Sequence, residues 1–280
     1  MTYRGMDKAA LDAAYDNSAA VGLARRNRIL GDWTARTAAL AARVGVLRDL
    51  RYGAGERQRL DFYPCGAGGA PTLVFIHGGY WQFSDKENYG CVAAGPLAHG
   101  INVALVEYTL APAIRMDGIV AEIRAALAWL RANLSALGAA TGGFVVSGHS
   151  AGGHLAALAL GEPGVLGVLP ISGLFDLEPI RLGSLNDKLA LDEAEAERNS
   201  PIRRIPPAAA PLVIAAGGGE LPELQRQSAD YHKALRAGGL ASQHLVVAGH
   251  DHFTILEELA RPDGRLTDAA RGIFTVTPPR

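Results

Sequence analysis

The stretch that decides the fold is Phe144-Val-Val-Ser-Gly-His-Ser-Ala-Gly-Gly-His154. It begins as a short apolar strand, passes through Gly148-His-Ser-Ala-Gly152, and continues as a helix of small and apolar residues. The two glycines allow a sharp turn between strand and helix, and such a turn exposes the serine hydroxyl above the sheet. A plain glycine-rich turn is the alternative, but the pattern G-x-S-x-G in this context favours Ser150 as a nucleophile.

Apolar runs typical of buried strands recur on both sides of this stretch. They lie at 72–76, 102–106, 143–147, 165–171, 211–216 and 243–247, and two further strands are predicted at 47–52 and 57–63. Helices are predicted at about 86–99, 117–137, 151–160, 222–237 and 253–260. Strands that alternate with helices form parallel sheets. We therefore predict an α/β protein of the α/β-hydrolase fold, with a mainly parallel central sheet and helices on both of its faces.

The length of 280 residues is compatible with one α/β domain spanning 1–280. Residues 1–45 are rich in Ala and Arg with helical spacing, so we predict a helical N-terminal extension there. The connection at 174–207 is longer and more polar than most connections between strands and helices. Because long connections often carry function, we predict that this one is a lid or a pocket wall.

Composition argues against several kinds of partner. Lys and Arg number 27 against 28 Asp and Glu, and no basic run is present, so no nucleic-acid partner is expected. The first residues lack the apolar core of a secretory signal. The uncharged stretch 151–175 is interrupted by Glu162-Pro-Gly164, so no membrane span is expected. Two cysteines, Cys65 and Cys91, are too few for a disulfide framework, which favours a cytoplasmic location.

The sequence carries no pattern for a cofactor or a metal. It has no H-E-x-x-H, no C-x-x-C and no G-x-G-x-x-G after a strand, and the glycines at 217–219 lack the spacing of a phosphate-binding loop. We therefore expect no cofactor and no metal. A small-molecule substrate is expected, and a homodimer is compatible with this composition.

A second motif, His77-Gly-Gly-Tyr-Trp81, directly follows the predicted strand 72–76. A serine hydrolase needs backbone N–H groups that bind the developing oxyanion, one of them from the residue after the serine. We assign this role to Gly78, Gly79 and Ala151. His77 precedes the serine, whereas the base comes last in this architecture. We therefore predict that His77 fixes the loop by hydrogen bonds.

The catalytic base and acid are predicted from the chain order Ser, then Asp or Glu, then His. His250 and His252 both lie in the loop after the last predicted strand, and chemistry alone leaves both open. Glu220 follows the strand 211–216 and can point a carboxylate at this loop. Glu223 and Asp176 are the alternative acids.

Several segments together resemble a known family. The resemblance rests on His77-Gly-Gly-Tyr-Trp81, Gly148-His-Ser-Ala-Gly-Gly-His154, Leu11-Asp-Ala-Ala-Tyr-Asp-Asn17, Ser172-Gly-Leu-Phe-Asp-Leu177 and Asp251-His-Phe253. The chain resembles the α/β-hydrolase type of arylformamidase, or kynurenine formamidase, which is related to hormone-sensitive-lipase-like esterases. The resemblance implies hydrolysis of N-formyl-kynurenine to kynurenine and formate. It also implies His252 as the base, and it departs at Glu220, where the family commonly has Asp.

Two aromatic residues of the second motif are candidate substrate contacts. The bulk of Tyr80 would suit a small acyl group such as formyl, and Trp81 could stack on an aromatic leaving group. Ordinary packing is an equally open interpretation for Trp81. Two other functions also remain open. One is a short-chain carboxylesterase or carbamate hydrolase, and the other is a non-catalytic binding protein with a hydrolase fold.

Overall fold

The computed structural model describes residues 2–207 and 209–276, and its framework is one eight-stranded sheet. The strands are β1 (Leu47–Arg51), β2 (Arg59–Tyr63), β3 (Ala70–Ile76), β4 (Asn102–Val106), β5 (Ala139–His149), β6 (Val165–Ile171), β7 (Leu212–Gly217) and β8 (Ser242–Val247). Their order across the sheet is β1-β2-β4-β3-β5-β6-β7-β8. The neighbouring strands β4-β3-β5-β6-β7-β8 are all parallel, whereas β1 with β2 and β2 with β4 are antiparallel. The mainly parallel sheet predicted from the sequence is confirmed.

Helices lie before the sheet, between its strands and after it. They are α1 (Lys8–Ala14), α2 (Asn17–Val21), α3 (Leu23–Ala41), α4 (Ala94–Ala98), α5 (Met116–Asn133), α6 (Ala151–Leu158), α7 (Glu178–Leu182), α8 (Asn186–Leu189), α9 (Glu193–Arg198), α10 (Pro222–Ala237), α11 (Glu257–Ala260) and α12 (Arg265–Val276). Within the described ranges, no helix combines the length and the apolar character needed to cross a membrane.

Both faces of the sheet are covered. Along β3, Val74 and Ile76 pack into a core that also contains apolar residues of α5, α6 and α10. The alternate residues Leu73 and Phe75 pack into a second core, with residues of α3 and α12. Because successive side chains of a strand point to opposite faces, helices lie on both sides, as predicted. The buried run at 72–76 is the sequence signature of this arrangement.

The predicted helix at 86–99 is wrong in detail. The segment forms two 3₁₀ turns, Lys86–Asn88 and Gly90–Ala93, followed by the short α4. Gly90 lies so close to β2 that a Cβ would approach the Tyr63 hydroxyl to 2.4 Å. The tight approach explains the glycine at position 90, and Pro96 inside α4 lacks the N–H that a continuous helix through 86–99 would use. In addition, α12 is a helix that the sequence analysis does not predict.

The segment 174–207 consists of short helices and is held by hydrogen bonds within itself and to the rest of the fold. It contains α7, α8, α9 and a 3₁₀ turn at Pro201–Arg203. The Leu177 N–H donates to Ser200 Oγ at 2.8 Å. The Asn199 carbonyl accepts from the ring of His154, in α6, at 2.7 Å. The segment is therefore attached directly to the helix that follows Ser150.

Candidate active site

Ser150 occupies the sharp turn between β5 and α6. Its φ of +57° and ψ of −118° are unusual for a residue other than glycine. The turn packs tightly, because a Cβ on Gly148 would lie 2.3 Å from the Gly152 carbonyl oxygen. A Cβ on Gly152 would lie 2.0 Å from the Ile76 carbonyl oxygen. Both glycines of the motif are therefore required by close backbone contact.

Ser150, His252 and Glu220 lie in one chain of contacts. His252 Nε2 is 3.0 Å from Ser150 Oγ, and His252 Nδ1 is 3.4 Å from Glu220 Oε2. The carboxylate of Glu220 is buried directly after β7, and His252 is buried in the loop after β8. The structure thus brings together the three residues predicted as nucleophile, base and acid, from positions far apart in the chain.

The alternative base has other partners. His250 Nδ1 donates to the Thr254 carbonyl at 2.8 Å, and its Nε2 is 3.3 Å from Glu258. Both ring nitrogens are therefore engaged away from the serine. This arrangement favours His252 over His250.

The alternative acids are also engaged elsewhere. Asp176 accepts from the Tyr3 hydroxyl at 3.0 Å. Glu223 pairs with Arg226 at 2.7 Å and accepts from the Tyr15 hydroxyl at 3.0 Å. Among the three candidate carboxylates, Glu220 is the one in contact with His252.

The loop after β3 closely approaches the serine. A Cβ on Gly78 would lie 3.1 Å from Ser150 Cβ, and Gly79 has a φ of +113° that favours glycine. Ala151 opens α6, so its N–H has no acceptor within the helix. In the described part of the chain, the Gly79 and Tyr80 N–H groups also have no acceptor. These three donors lie on segments adjacent to the nucleophile.

Gly78 stays a predicted oxyanion donor. In the described ranges, its N–H, like those of Gly79 and Tyr80, has no backbone acceptor. Gly78 also allows the close approach of the loop to Ser150. The Tyr80 N–H is a further candidate donor that was not predicted, since attention to this residue fell on its side chain.

His77 holds this loop through two hydrogen bonds. Its Nδ1 donates to the Gly78 carbonyl at 2.8 Å, and its Nε2 is 3.0 Å from Glu107 Oε1. Burial alone would raise the pKa of Glu107, but the charge and hydrogen bond of His77, helped by the Lys86 N–H and Arg57, hold it at about 2. His77 thus fixes the loop, as predicted.

Two further buried histidines support the site. His149 Nε2 donates to the carbonyl of His252 at 2.7 Å, and the two rings lie 4.7 Å apart. Burial lowers the pKa of His149 well below its usual range and that of His154 to about 4. Both rings are therefore neutral near pH 7. The support that His149 gives to the base was not predicted, although its place beside the serine was the available signal.

The side chains of Tyr80 and Trp81 point to different surroundings. The Tyr80 hydroxyl donates to the Tyr15 carbonyl at 2.6 Å and accepts from Asn17 Nδ2 at 3.0 Å. The N-terminal extension therefore anchors this ring. Trp81 has no exposed surface, and its ring meets His154 edge-on at 5.0 Å. This placement fits the packing interpretation of Trp81 that the sequence left open.

No group of three His, Cys, Asp or Glu side chains that could hold a metal occurs in residues 2–207 and 209–276. The protein groups described at the site are a hydroxyl, an imidazole, a carboxylate and backbone amides. This set can perform nucleophilic attack on a carbonyl carbon with proton transfer through the imidazole.

Comparison with known proteins places the chain in a family. Residues 60–162 match the BD-FAE family model. The kynurenine formamidase of Danio rerio is 34% identical over 237 residues, covering 79% of this chain and 80% of that protein. That of Salmo salar is 36% identical over 239 residues, with the same coverage. The chain belongs to the kynurenine formamidase family. This membership confirms the resemblance and shows that the chain is a hydrolytic enzyme, against the alternative of a non-catalytic binding protein.

Solved structures agree with the family at the level of the fold. A suggested thioesterase from Silicibacter sp. TM1040 has a TM-score of 0.84 and 30% identity, covering 93% of this chain and 98% of that one. An esterase from Pyrobaculum calidifontis has a TM-score of 0.71 and 20% identity, covering 89% and 93%. The kynurenine formamidase family member described here therefore has the α/β-hydrolase fold.

Proposed function

We propose that this enzyme hydrolyses the formamide bond of an N-formyl arylamine such as N-formyl-kynurenine, releasing formate and the arylamine. The observation that carries the proposal is the chain of contacts from Ser150 through His252 to Glu220. It lies beside a loop whose Gly79 and Tyr80 N–H groups have no backbone acceptor among the described residues. The named activity of the Danio rerio and Salmo salar relatives supports the choice of substrate.

In the first step, Ser150 Oγ attacks the formyl carbon while His252 Nε2 takes the hydroxyl proton. Glu220 accepts the Nδ1–H of the same ring, which fixes the tautomer and stabilises the imidazolium. The carbonyl oxygen becomes an oxyanion, and N–H groups from Gly78, Gly79 and Ala151, with that of Tyr80, are the donors proposed to bind it. Each such donor contributes about 100-fold to 1,000-fold to the rate in comparable sites.

In the second step, the imidazolium of His252 gives its proton to the aryl nitrogen, and the C–N bond breaks. Amines leave poorly unless they are protonated, so the position of this acid decides the rate of amide cleavage. The aryl ring draws the nitrogen lone pair away from the carbonyl, which weakens the amide. Water then attacks the formyl ester of Ser150, with His252 acting as base, and formate is released.

Tyr80 is proposed to limit the size of the acyl group. Its backbone lies in the loop after β3 that carries the proposed oxyanion donors, and its hydroxyl is held by Tyr15 and Asn17. A ring that is anchored in this way has little freedom to move aside for a longer acyl chain. The segment 174–207 is proposed as a fixed pocket wall, since Gln82 of the same loop donates to the Leu185 carbonyl at 2.9 Å.

A hydrolysis panel tests the proposal. We expect cleavage of N-formyl-kynurenine and of other formanilides, and rates on aryl esters that fall steeply from formyl and acetyl to octanoyl. Ser150→Ala should lose most activity, on the order of 10⁶-fold in kcat if the three residues act as a unit. Tyr80→Gly should relax the limit on acyl length. A preference for octanoyl esters with no turnover of any formanilide would refute the formamidase assignment and favour a general esterase.

A further inference from the structure

We propose that Ser172 is a positioning residue that acts on the reaction through Glu220. This inference rests on the proposed function, in which Glu220 is the acid of the site. Ser172 follows β6 directly and is completely buried. Its hydroxyl donates a short hydrogen bond to Glu220 Oε1. Its backbone N–H donates to the Ala215 carbonyl at 2.7 Å, which fixes the serine to the neighbouring strand β7.

The hydroxyl is one of two donors that hold the same carboxylate oxygen. The other is the Gly217 N–H, at 2.7 Å from Glu220 Oε1. With Oε1 held in this way, Oε2 is directed at His252 Nδ1. The terminal torsion of a glutamate is broad and has no strong preference of its own. The two donors therefore select the rotation of the carboxylate that faces the base.

A glutamate needs this constraint more than an aspartate would. Its side chain has one more rotatable bond, and fixing each additional torsion costs conformational entropy. The hydrogen bond from Ser172 forms when the chain folds, before the substrate binds. The conformational entropy of the Glu220 side chain is therefore lost on folding and not during the reaction. Ser172 and Glu220 are thus proposed to function as a pair.

The backbone of Ser172 gives independent support. Its φ is +53°, in the left-handed region that favours glycine. Residues held in such strained conformations are concentrated at functional sites. At other sites, substitution by glycine would relieve the strain without loss of function. Glycine would fit this backbone without strain, but it lacks a hydroxyl.

The test compares two variants that both remove the hydroxyl. Ser172→Ala keeps the strained backbone, whereas Ser172→Gly also relieves it. We expect both to lower kcat for p-nitrophenyl acetate about tenfold to 100-fold with little change in KM, since a hydrogen bond to a charged group is lost. Thermal unfolding should show Ser172→Gly to be at least as stable as Ser172→Ala. If kcat recovers in Ser172→Gly along with the stability, although the hydroxyl is still missing, the proposal is wrong.

Ser228→Ala is the matched control. Ser228 is equally buried, and in the described part of the chain its hydroxyl has no hydrogen-bond partner. Loss of this hydroxyl should leave kcat unchanged.

A double-mutant cycle separates positioning from general damage. In a Glu220→Gln background, Ser172→Ala should have little further effect on kcat, because the hydroxyl acts through the carboxylate. The same loss in both backgrounds would overturn the proposal, as would a wild-type kcat for Ser172→Ala alone. If Glu220→Gln itself is silent, the assignment of the acid fails, and with it the proposed mechanism. The ester substrate keeps these outcomes independent of whether the natural substrate is a formamide.

Discussion

Gly78 lies where the loop after β3 meets Ser150, and an added methyl group there would press directly on the proposed nucleophile. In Gly78→Ala, the new Cβ would lie 2.8 Å from the His149 carbonyl oxygen and 3.1 Å from Ser150 Cβ. Neither atom is the end of a flexible side chain. To restore ordinary contact, the turn or the loop must retreat by about 0.6 Å.

This displacement sets the expected magnitude. A misplacement of about 1 Å in an active site costs about 100-fold in rate, so we expect kcat to fall at least tenfold. Overpacking costs about 1–3 kcal/mol, which should appear as a lower free energy of unfolding in urea. The measurements are kcat and KM for p-nitrophenyl acetate and urea unfolding followed by circular dichroism.

Gly31→Ala is the matched control, because Gly31 is an exposed position in α3 with no atom within 4 Å of an added Cβ. That variant should gain about 0.5–1 kcal/mol of stability and keep its activity. If Gly78→Ala matches the wild type in both kcat and stability, the close approach of the loop to Ser150 is not as described.

Three further predictions concern the base, the pH dependence and a buried cation. His252→Ala should lose at least 1,000-fold in kcat, whereas His250→Ala should lose far less. Burial lowers the pKa of His154 to about 4, so between about pH 4 and pH 6.5 its imidazole is protonated in the unfolded chain and neutral in the folded chain. The free energy of unfolding should therefore fall by about 3 kcal/mol from this group between pH 6.5 and pH 4, and His154→Gln should reduce the fall. Lys86→Met should cost about 3–5 kcal/mol, because it leaves the buried Asp61 carboxylate, 2.8 Å from the ammonium, without its partner.

Each of these has its own check. The opposite ranking of the two histidine variants would transfer the base to His250. In urea unfolding at pH 7 and pH 5, Gly31→Ala, which removes no titratable group, should not change the pH slope. An equal slope in His154→Gln and in the wild type would contradict the effect of burial. Adding Asp61→Asn to Lys86→Met should recover part of the stability, and a further loss would argue against the ion pair as the cause.

Local patterns predicted the parts of the fold that depend on neighbouring residues. The strand at 72–76 was predicted because a buried strand requires a continuous run of apolar residues. The turn at Ser150 was predicted because its close packing requires glycines at fixed positions. Glu220 was predicted for a related reason, since the carboxyl end of a strand places the next loop at the site. His252 needed the family resemblance, because His250 is only two residues away and has the same chemistry.

The remaining features arise from contacts between distant parts of the chain. The close contact of Gly90 with Tyr63 joins residues that no local window of the sequence contains. The anchoring of Tyr80 involves Asn17, and the Glu220 carboxylate accepts a hydrogen bond from Ser172. Such contacts become visible only once the sheet has brought the segments together. Sequence patterns therefore gave the candidate residues, and tertiary structure gave their orientation.

The hydrogen bonds from the N-terminal extension to Tyr80 have a consequence for protein engineering. A version of the chain that starts after residue 45 would retain every strand of the sheet and all of Ser150, Glu220 and His252. It would lose both groups that hold the Tyr80 hydroxyl, and also Arg25, which pairs with Asp251 at 2.8 Å next to His252. On the proposed role of Tyr80, variation in the first helices is a route to changing which acyl groups are accepted while the proposed reacting groups stay unchanged. Libraries aimed at new substrates would begin there.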